Sequence, residues 1–89
     1  MPSRTVTIAS SVGLHARPAA LFVQAATATG LDVEIARPGD ERVDATSILG
    51  VMALGARHGE EVELTADGEG ADEALDSLVE LLSRDLDAQ

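Results

Sequence analysis

Apolar residues recur with two different periods along this chain, and the changes between them constrain its fold most strongly. In short segments they alternate with polar residues, as in half-buried strands; elsewhere they recur every three or four residues, as on one face of a helix. We predict the order βαββαβα: strand Thr5–Ile8, helix Ala16–Thr29, strand Leu31–Ile35, strand Arg42–Asp44, a short helix capped by Ser47 and ending at Gly55 or Gly59, strand Glu61–Thr65, and helix Ala71–Leu86. Such an order favours a four-stranded, mainly antiparallel sheet with its helices on one face.

The helical periods also predict which residues form the core of a single domain over residues 1–89. Phe22 is the only aromatic residue, and its position on a helical face predicts a core residue. The expected buried face of the first helix comprises Pro18, Leu21, Phe22, Ala25 and Thr29, and that of the last helix Ala71, Leu75, Leu78 and Leu82.

Composition excludes several kinds of site and partner. The absence of cysteine rules out disulfides and thiolate metal sites, and two well-separated histidines make a poor metal site. A net charge of −10 argues against binding nucleic acid. The sequence lacks a signal-peptide pattern and any run of the ~20 apolar residues that span a bilayer. We therefore expect a cytoplasmic protein without membrane insertion.

The charges are distributed unevenly. Residues 1–31 contain no acidic residue, only Arg4 and Arg17, whereas all sixteen acids lie from Asp32 onward. The acid-free stretch contains the run Gly13-Leu14-His15-Ala16-Arg17-Pro18-Ala19-Ala20. This part of the chain is therefore the one best suited to an anion.

His15 lies at the start of the first predicted helix, where three effects favour carriage of a phosphoryl group. The positive end of the helix disfavours imidazolium, so we expect a neutral, nucleophilic ring. Free backbone N–H groups at a helix N-terminus bind anions. Arg17 would add a charge-assisted hydrogen bond to phosphoryl oxygens. A histidine in this position can also be a solvated or capping residue.

The second histidine, His58, lies in a predicted loop. We expect it to be solvated and without function.

At this point the chain resembles the HPr family of phosphocarriers from the bacterial phosphoenolpyruvate–sugar phosphotransferase system. Residues 13–19 resemble the family's active-site motif. Residues 45–54, Ala-Thr-Ser-Ile-Leu-Gly-Val-Met-Ala-Leu, resemble its second motif, and residues 59–64 and the last helix follow the family pattern. The resemblance extends over essentially the whole chain and implies an open-faced β-sandwich, with three helices on a four-stranded antiparallel sheet.

The resemblance implies a phosphocarrier rather than an enzyme, with no metal and no cofactor. His15 would accept a phosphoryl group at Nδ1 from phosphorylated enzyme I and pass it to a sugar-specific IIA domain. Arg17 and the backbone N–H groups near Ala16 and Arg17 would hold the phosphoryl oxygens. Ser47 matches the serine that an HPr kinase phosphorylates in some bacteria, although its role as an N-cap would also explain this residue.

We expect partners to contact an exposed apolar surface beside His15, which we name the docking face. It comprises Ala16, Ala20, Val23, Ile48, Leu49 and Met52. The interface should be small, because a carrier must leave each partner quickly, and we expect a monomer. Gln24, Thr27 and Thr46 occupy positions where relatives often have lysine, so steering toward acidic partners should be weaker.

Three alternatives stay open at this stage. The chain could serve a nitrogen-related relay or one linked to a dihydroxyacetone kinase, with the same chemistry and different partners. It could be a non-catalytic βαββαβ regulatory domain in which His15 is structural. It could also be a regulator that uses Ser47 alone, but the presence of His15 argues against this.

Overall fold

The predicted order of elements and the α+β fold class are confirmed. A computed structural model of the protein describes residues 2–84. Its elements are β1 (Ser3–Thr7), α1 (Ala16–Ala28), β2 (Asp32–Ala36), β3 (Val43–Asp44), α2 (Ile48–Ala53), β4 (Glu61–Asp67) and α3 (Ala71–Leu82).

The four strands form one antiparallel sheet in the order β1-β4-β2-β3. Its register places Val6 opposite Val62 and Ile35 opposite Leu64, and all four side chains are buried. Because side chains alternate between the two faces of a strand, the residues between them point to the other face. That face carries polar pairs such as Thr5 opposite Glu63, so only one face of the sheet is apolar.

The helices cover this apolar face, which confirms the open-faced sandwich. α3 packs on β1 and β4, and α1 contacts both α2 and α3. The face predicted for α3 is confirmed, and Phe22 is fully buried, as expected. The core residues of α3 are Ala71, Leu75, Leu78 and Leu82.

The buried face predicted for α1 is partly wrong. Pro18 and Phe22 are buried, but the other buried residues are Ala19 and Ala26. The residues predicted in their place, Leu21, Ala25 and Thr29, are only half-buried. Alanine contributes little to a hydropathy pattern, yet Ala19 and Ala26 are fully buried in the core. In an alanine-rich helix the pattern therefore misplaces the core face.

Several predicted boundaries shift because strand pairing, rather than apolar alternation, ends the strands. β1 begins at Ser3 and β4 continues to Asp67, since each residue has a partner across the sheet. β2 shifts by one residue at both ends, whereas β3 begins one residue later than predicted, at Val43, and ends at Asp44 as predicted. α2 ends before Gly55, which has a positive φ of 66°, so the Gly55 alternative is confirmed. The predicted end of the last helix, Leu86, lies outside the described residues.

Gly13 permits a close contact between two loops that are distant in sequence. Its φ is +74°, and a Cβ added at this position would lie 2.4 Å from the Ala56 carbonyl oxygen and 2.8 Å from Arg57 Cα. Glycine alone lacks the atom that would collide there. Gly13 therefore brings the loop before α1 against the loop before β4.

We predict that Gly13→Ala destabilises the protein by about 2–4 kcal/mol, because it adds a backbone clash to the cost of a left-handed alanine. Gly30→Ala is the matched control. Gly30 has a φ of +72°, but no atom lies within 4 Å of its added Cβ. This change should cost only about 1–2 kcal/mol. Urea unfolding of both variants measures the difference, and equal losses would contradict the close contact.

Candidate functional site

His15 is the N-cap of α1, which confirms that this helix begins between His15 and Pro18. Its backbone is extended, with φ −143° and ψ 157°, and the residue is exposed. The side chain makes no capping hydrogen bond to the helix over residues 16–28. His15 therefore lies at the positive end of a helix without being used to cap it.

The first turn of α1 combines exposed residues with a buried proline. Ala16 and Arg17 are exposed, and no acidic residue lies in the first turn of α1. Pro18 has no N–H to leave unpaired, and its ring is buried in the core. An anion that bound beside His15 would lie at the N-terminal end of α1, where helices offer backbone N–H groups.

Ala16 has a left-handed backbone, with φ +51°, and is the only non-glycine residue among those described with a positive φ. This conformation costs an ordinary residue about 1–2 kcal/mol. It persists only where the surrounding structure holds the chain, and such residues concentrate at functional sites. The backbone next to His15 is thus held in a strained turn.

Arg4, the other basic residue of the acid-free stretch, does not serve this site. Its guanidinium donates to Asp72 at 3.0 Å and to Asp76 at 3.1 Å, which fastens β1 to α3. The hydrogen bonds to Asp72 and Asp76 raise the pKa of Arg4. Arg17, two positions after His15 in the sequence, is the other basic residue of this stretch.

Many acids gather on the open face of the sheet, away from the helices. Asp32 lies opposite Asp67, and Glu34 lies opposite Asp44. Arg42 approaches Glu34 to 3.8 Å. Since the helices cover the other face, these carboxylates do not surround the start of α1.

Ser47 is the N-cap of α2, as predicted. Its Oγ accepts a hydrogen bond of 3.1 Å from the Gly50 N–H. The preceding turn is held by Asp44, whose Oδ1 accepts from Thr46 Oγ1 at 2.7 Å and from Thr46 N–H at 2.9 Å. The hydrogen bonds from the Thr46 hydroxyl and N–H lower the pKa of Asp44. The cap is thus a firm structural role for Ser47.

The six residues of the docking face differ in exposure. On α1, Ala16 is exposed, and Ala20 and Val23 are half-buried at helical spacing. On α2, Leu49 is 78% exposed and Ile48 38% exposed. The half-buried Met52 packs against the core, to which α2 contributes the buried Val51. α1 packs on α2, so the two helices that carry these residues are neighbours.

Sequence reasoning missed Val12, which is 53% exposed. Within residues 2–84, the large apolar residues that are exposed are Val12, Ile48 and Leu49. All three lie next to the His15 or Ser47 motif in the sequence. A large apolar residue between Ser11 and Gly13 in a loop was the signal that could have identified it.

His58 is exposed, as expected, but it also contacts the loop that leads to His15. Its Nδ1 lies 3.2 Å from the Ser10 carbonyl oxygen. Within residues 2–84, no three His, Asp or Glu side chains form a group that could hold a metal ion. In the same range, no helix has both the length and the apolar character needed to cross a membrane.

Comparison with known proteins identifies the family. The family described as "PTS HPr component phosphorylation site" matches residues 2–84. The phosphocarrier protein HPr of Streptomyces coelicolor is 48% identical, over 98% of this chain and 94% of the relative.

Solved structures agree with this result. HPr-C-His from Thermoanaerobacter tengcongensis superposes with a TM-score of 0.86 at 41% identity, covering 92% of this chain and 91% of that one. A structure described as an HPr dimer from the same organism gives a TM-score of 0.69 at 42% identity, covering 91% and 92%. Motif, fold and relatives agree over nearly the whole length, and the chain belongs to the HPr family of phosphocarriers of the phosphotransferase system.

Proposed function

We propose that this protein carries a phosphoryl group on His15 in the cytoplasm, from phosphorylated enzyme I to sugar-specific IIA domains. The observation that carries the proposal is the position of His15, exposed at the N-cap of α1 and without a capping hydrogen bond to that helix. A purely structural histidine would be expected to use its ring in packing or capping. Membership of the HPr family supports the same role.

In the proposed step, the lone pair on His15 Nδ1 attacks phosphorus and forms a P–N bond. The bond between phosphorus and enzyme I breaks, and its electron pair remains on enzyme I. A nucleophilic side chain of the IIA domain then attacks phosphorus, and the P–N bond breaks with its electron pair returning to His15 Nδ1. Arg17 would stabilise the phosphoryl oxygens through charge-assisted hydrogen bonds, and the backbone N–H groups near Ala16 and Arg17 would do the same. These groups would act during transfer and on the phosphohistidine.

Partners would bind through the docking face, with Val12 added to it. Its apolar side chains beside His15 suit a small interface with an apolar centre.

We propose that the protein works as a monomer, since the same surface must meet successive partners. A relative from Thermoanaerobacter tengcongensis is described as an HPr dimer, so the molecular mass of this protein in solution tests the proposal of a monomer.

Ser47 is the candidate for phosphorylation by an HPr kinase.

We predict that the protein gains one acid-labile phosphoryl group when it is incubated with enzyme I and phosphoenolpyruvate, and that His15→Ala gains none. Intact-protein mass spectrometry measures the addition. His58→Ala is the matched control, because it removes the other histidine and should still reach full phosphorylation at the end point. Addition to His15→Ala equal to that of the wild type would exclude His15 as the carrier.

We predict that Arg17→Ala slows transfer from enzyme I by about 100-fold, since one stabilising donor near a reacting group is worth about that factor. Arg17→Lys should lie in between, because lysine keeps the charge but loses the two-pronged hydrogen bond. Both changes are at an exposed position and should alter the unfolding free energy by less than about 0.5 kcal/mol. Rapid-quench measurements test this, and unchanged rates would remove the assigned role of Arg17.

We predict that Ser47→Asp weakens binding to enzyme I by about tenfold, because a carboxylate beside the docking face must lose water on contact. Ser47→Asn is the matched control. Both residues are good N-caps, so α2 should be retained in each, and only the charge differs. Titration calorimetry measures both affinities, and equal values would indicate that the docking face lies elsewhere.

A further inference from the structure

The segment that leads to His15 is bonded along its length to the loop before β4. Three backbone hydrogen bonds join the two segments: Gly59 N–H to the Ile8 carbonyl (2.9 Å), Ile8 N–H to the Glu60 carbonyl (2.8 Å) and Leu14 N–H to the Ala56 carbonyl (2.9 Å). The close approach at Gly13 lies within the same contact. Because these bonds involve backbone atoms, they do not depend directly on the side chains of the loop.

A fourth connection is made by a side chain, that of His58. Its Nδ1 lies 3.2 Å from the Ser10 carbonyl oxygen. A carbonyl oxygen only accepts, so Nδ1 must carry the hydrogen and donate it. The same oxygen accepts from the Gly13 N–H at 3.0 Å, and Ser10 is only 3% exposed. His58 thus supplies the second donor to the carbonyl that closes the turn from Ser10 to Gly13.

The loop that carries His58 is itself held in place. One oxygen of the Glu60 carboxylate accepts from the Arg57 N–H at 2.8 Å. The other accepts from Arg37 Nη2 at 2.8 Å, at the end of β2. Arg37 also reaches the Leu54 carbonyl at the end of α2. His58 therefore projects from a loop anchored to two elements of the fold.

We propose that His58 is a positioning residue for His15, a role that rests on the proposed phosphocarrier function. By donating to Ser10, it holds the turn that ends at Gly13, and only the buried Leu14 separates this turn from His15. On the other side of His15, the left-handed Ala16 needs a fixed backbone around it. Loss of the donor would let the chain before His15 relax and would misplace the nucleophile.

Three substitutions isolate the hydrogen bond from the shape of the ring. His58→Asn keeps an N–H donor two bonds beyond Cβ, where Nδ1 lies. His58→Gln moves the donor one bond further, to the position of Nε2. His58→Leu places carbon atoms near the position of Nδ1 and removes the donor. Thermal unfolding of all three variants is measured first, so that a change in rate is not mistaken for loss of fold.

The rate of phosphoryl transfer is measured against the concentration of phosphorylated enzyme I. We expect His58→Leu and His58→Gln to transfer about tenfold more slowly at saturation, since small misplacements of reacting groups cost such factors. The half-saturating concentration should stay unchanged, and His58→Asn should restore the wild-type rate. The proposal would be overturned by wild-type rates in His58→Leu and His58→Gln, or by failure of His58→Asn to restore the rate. A change confined to the half-saturating concentration would also overturn it.

Amide hydrogen exchange at Gly13 and Leu14 gives a second readout that does not need transfer. Exchange should be faster in His58→Leu and His58→Gln and unchanged in His58→Asn. If the wild type accepts no phosphoryl group from enzyme I, the proposed function fails. The exchange rates then still decide whether His58 holds the turn, and equal protection in all four proteins would overturn that role.

Discussion

The contact between Gly13 and the backbone of Ala56 and Arg57 is the constraint on which the site depends. It joins segments that lie more than forty residues apart, and it is possible only because Gly13 has no Cβ and adopts a positive φ. The ladder between β1 and β4 brings these segments together, since Ile8 continues from β1 and Glu60 precedes β4. The backbone that leads to His15 is therefore positioned by the ladder between β1 and β4, although His15 lies at the end of a single helix. This explains how an exposed residue can keep a defined backbone without being buried itself.

The packing of α1 determines what remains for partners. Ala19 and Ala26 contact the core with small side chains, and α1 packs mainly against α2 and α3. Ala16, Ala20 and Val23 then remain on the outer side, where they are at least partly exposed. On α2, Val51 alone is fully buried, and Leu49 is left largely in solvent. A six-residue helix cannot bury every side, so the docking face follows from the shortness of α2 as much as from its apolar composition.

Sequence patterns predicted the type and order of every element and placed His15 at a helix start and Ser47 at an N-cap. These features are local: a change of hydrophobic period, a serine before an apolar run and a glycine after one. The errors have non-local causes. The strand ends at Ser3 and Asp67 depend on cross-strand partners, and the core face of α1 depends on how this helix packs against α2 and α3. The bond from His58 to Ser10 joins residues 48 positions apart, and no local pattern of residues predicts such a contact.

The distribution of charge limits how this carrier can recognise its partners. Arg4 is bonded to Asp72 and Asp76, and Arg17 is the other basic residue of the N-terminal stretch, two positions from His15 in the sequence. The carboxylates on the open face of the sheet lie on the far side from the helices. They therefore repel acidic partners only weakly near His15, although they contribute to the net charge of −10. At physiological ionic strength, charges more than about 8 Å apart are largely screened. Long-range attraction is therefore a poor basis for recognition here. Under the proposed function, discrimination between partners comes from short-range contact with the proposed docking face and with the phosphoryl group on His15.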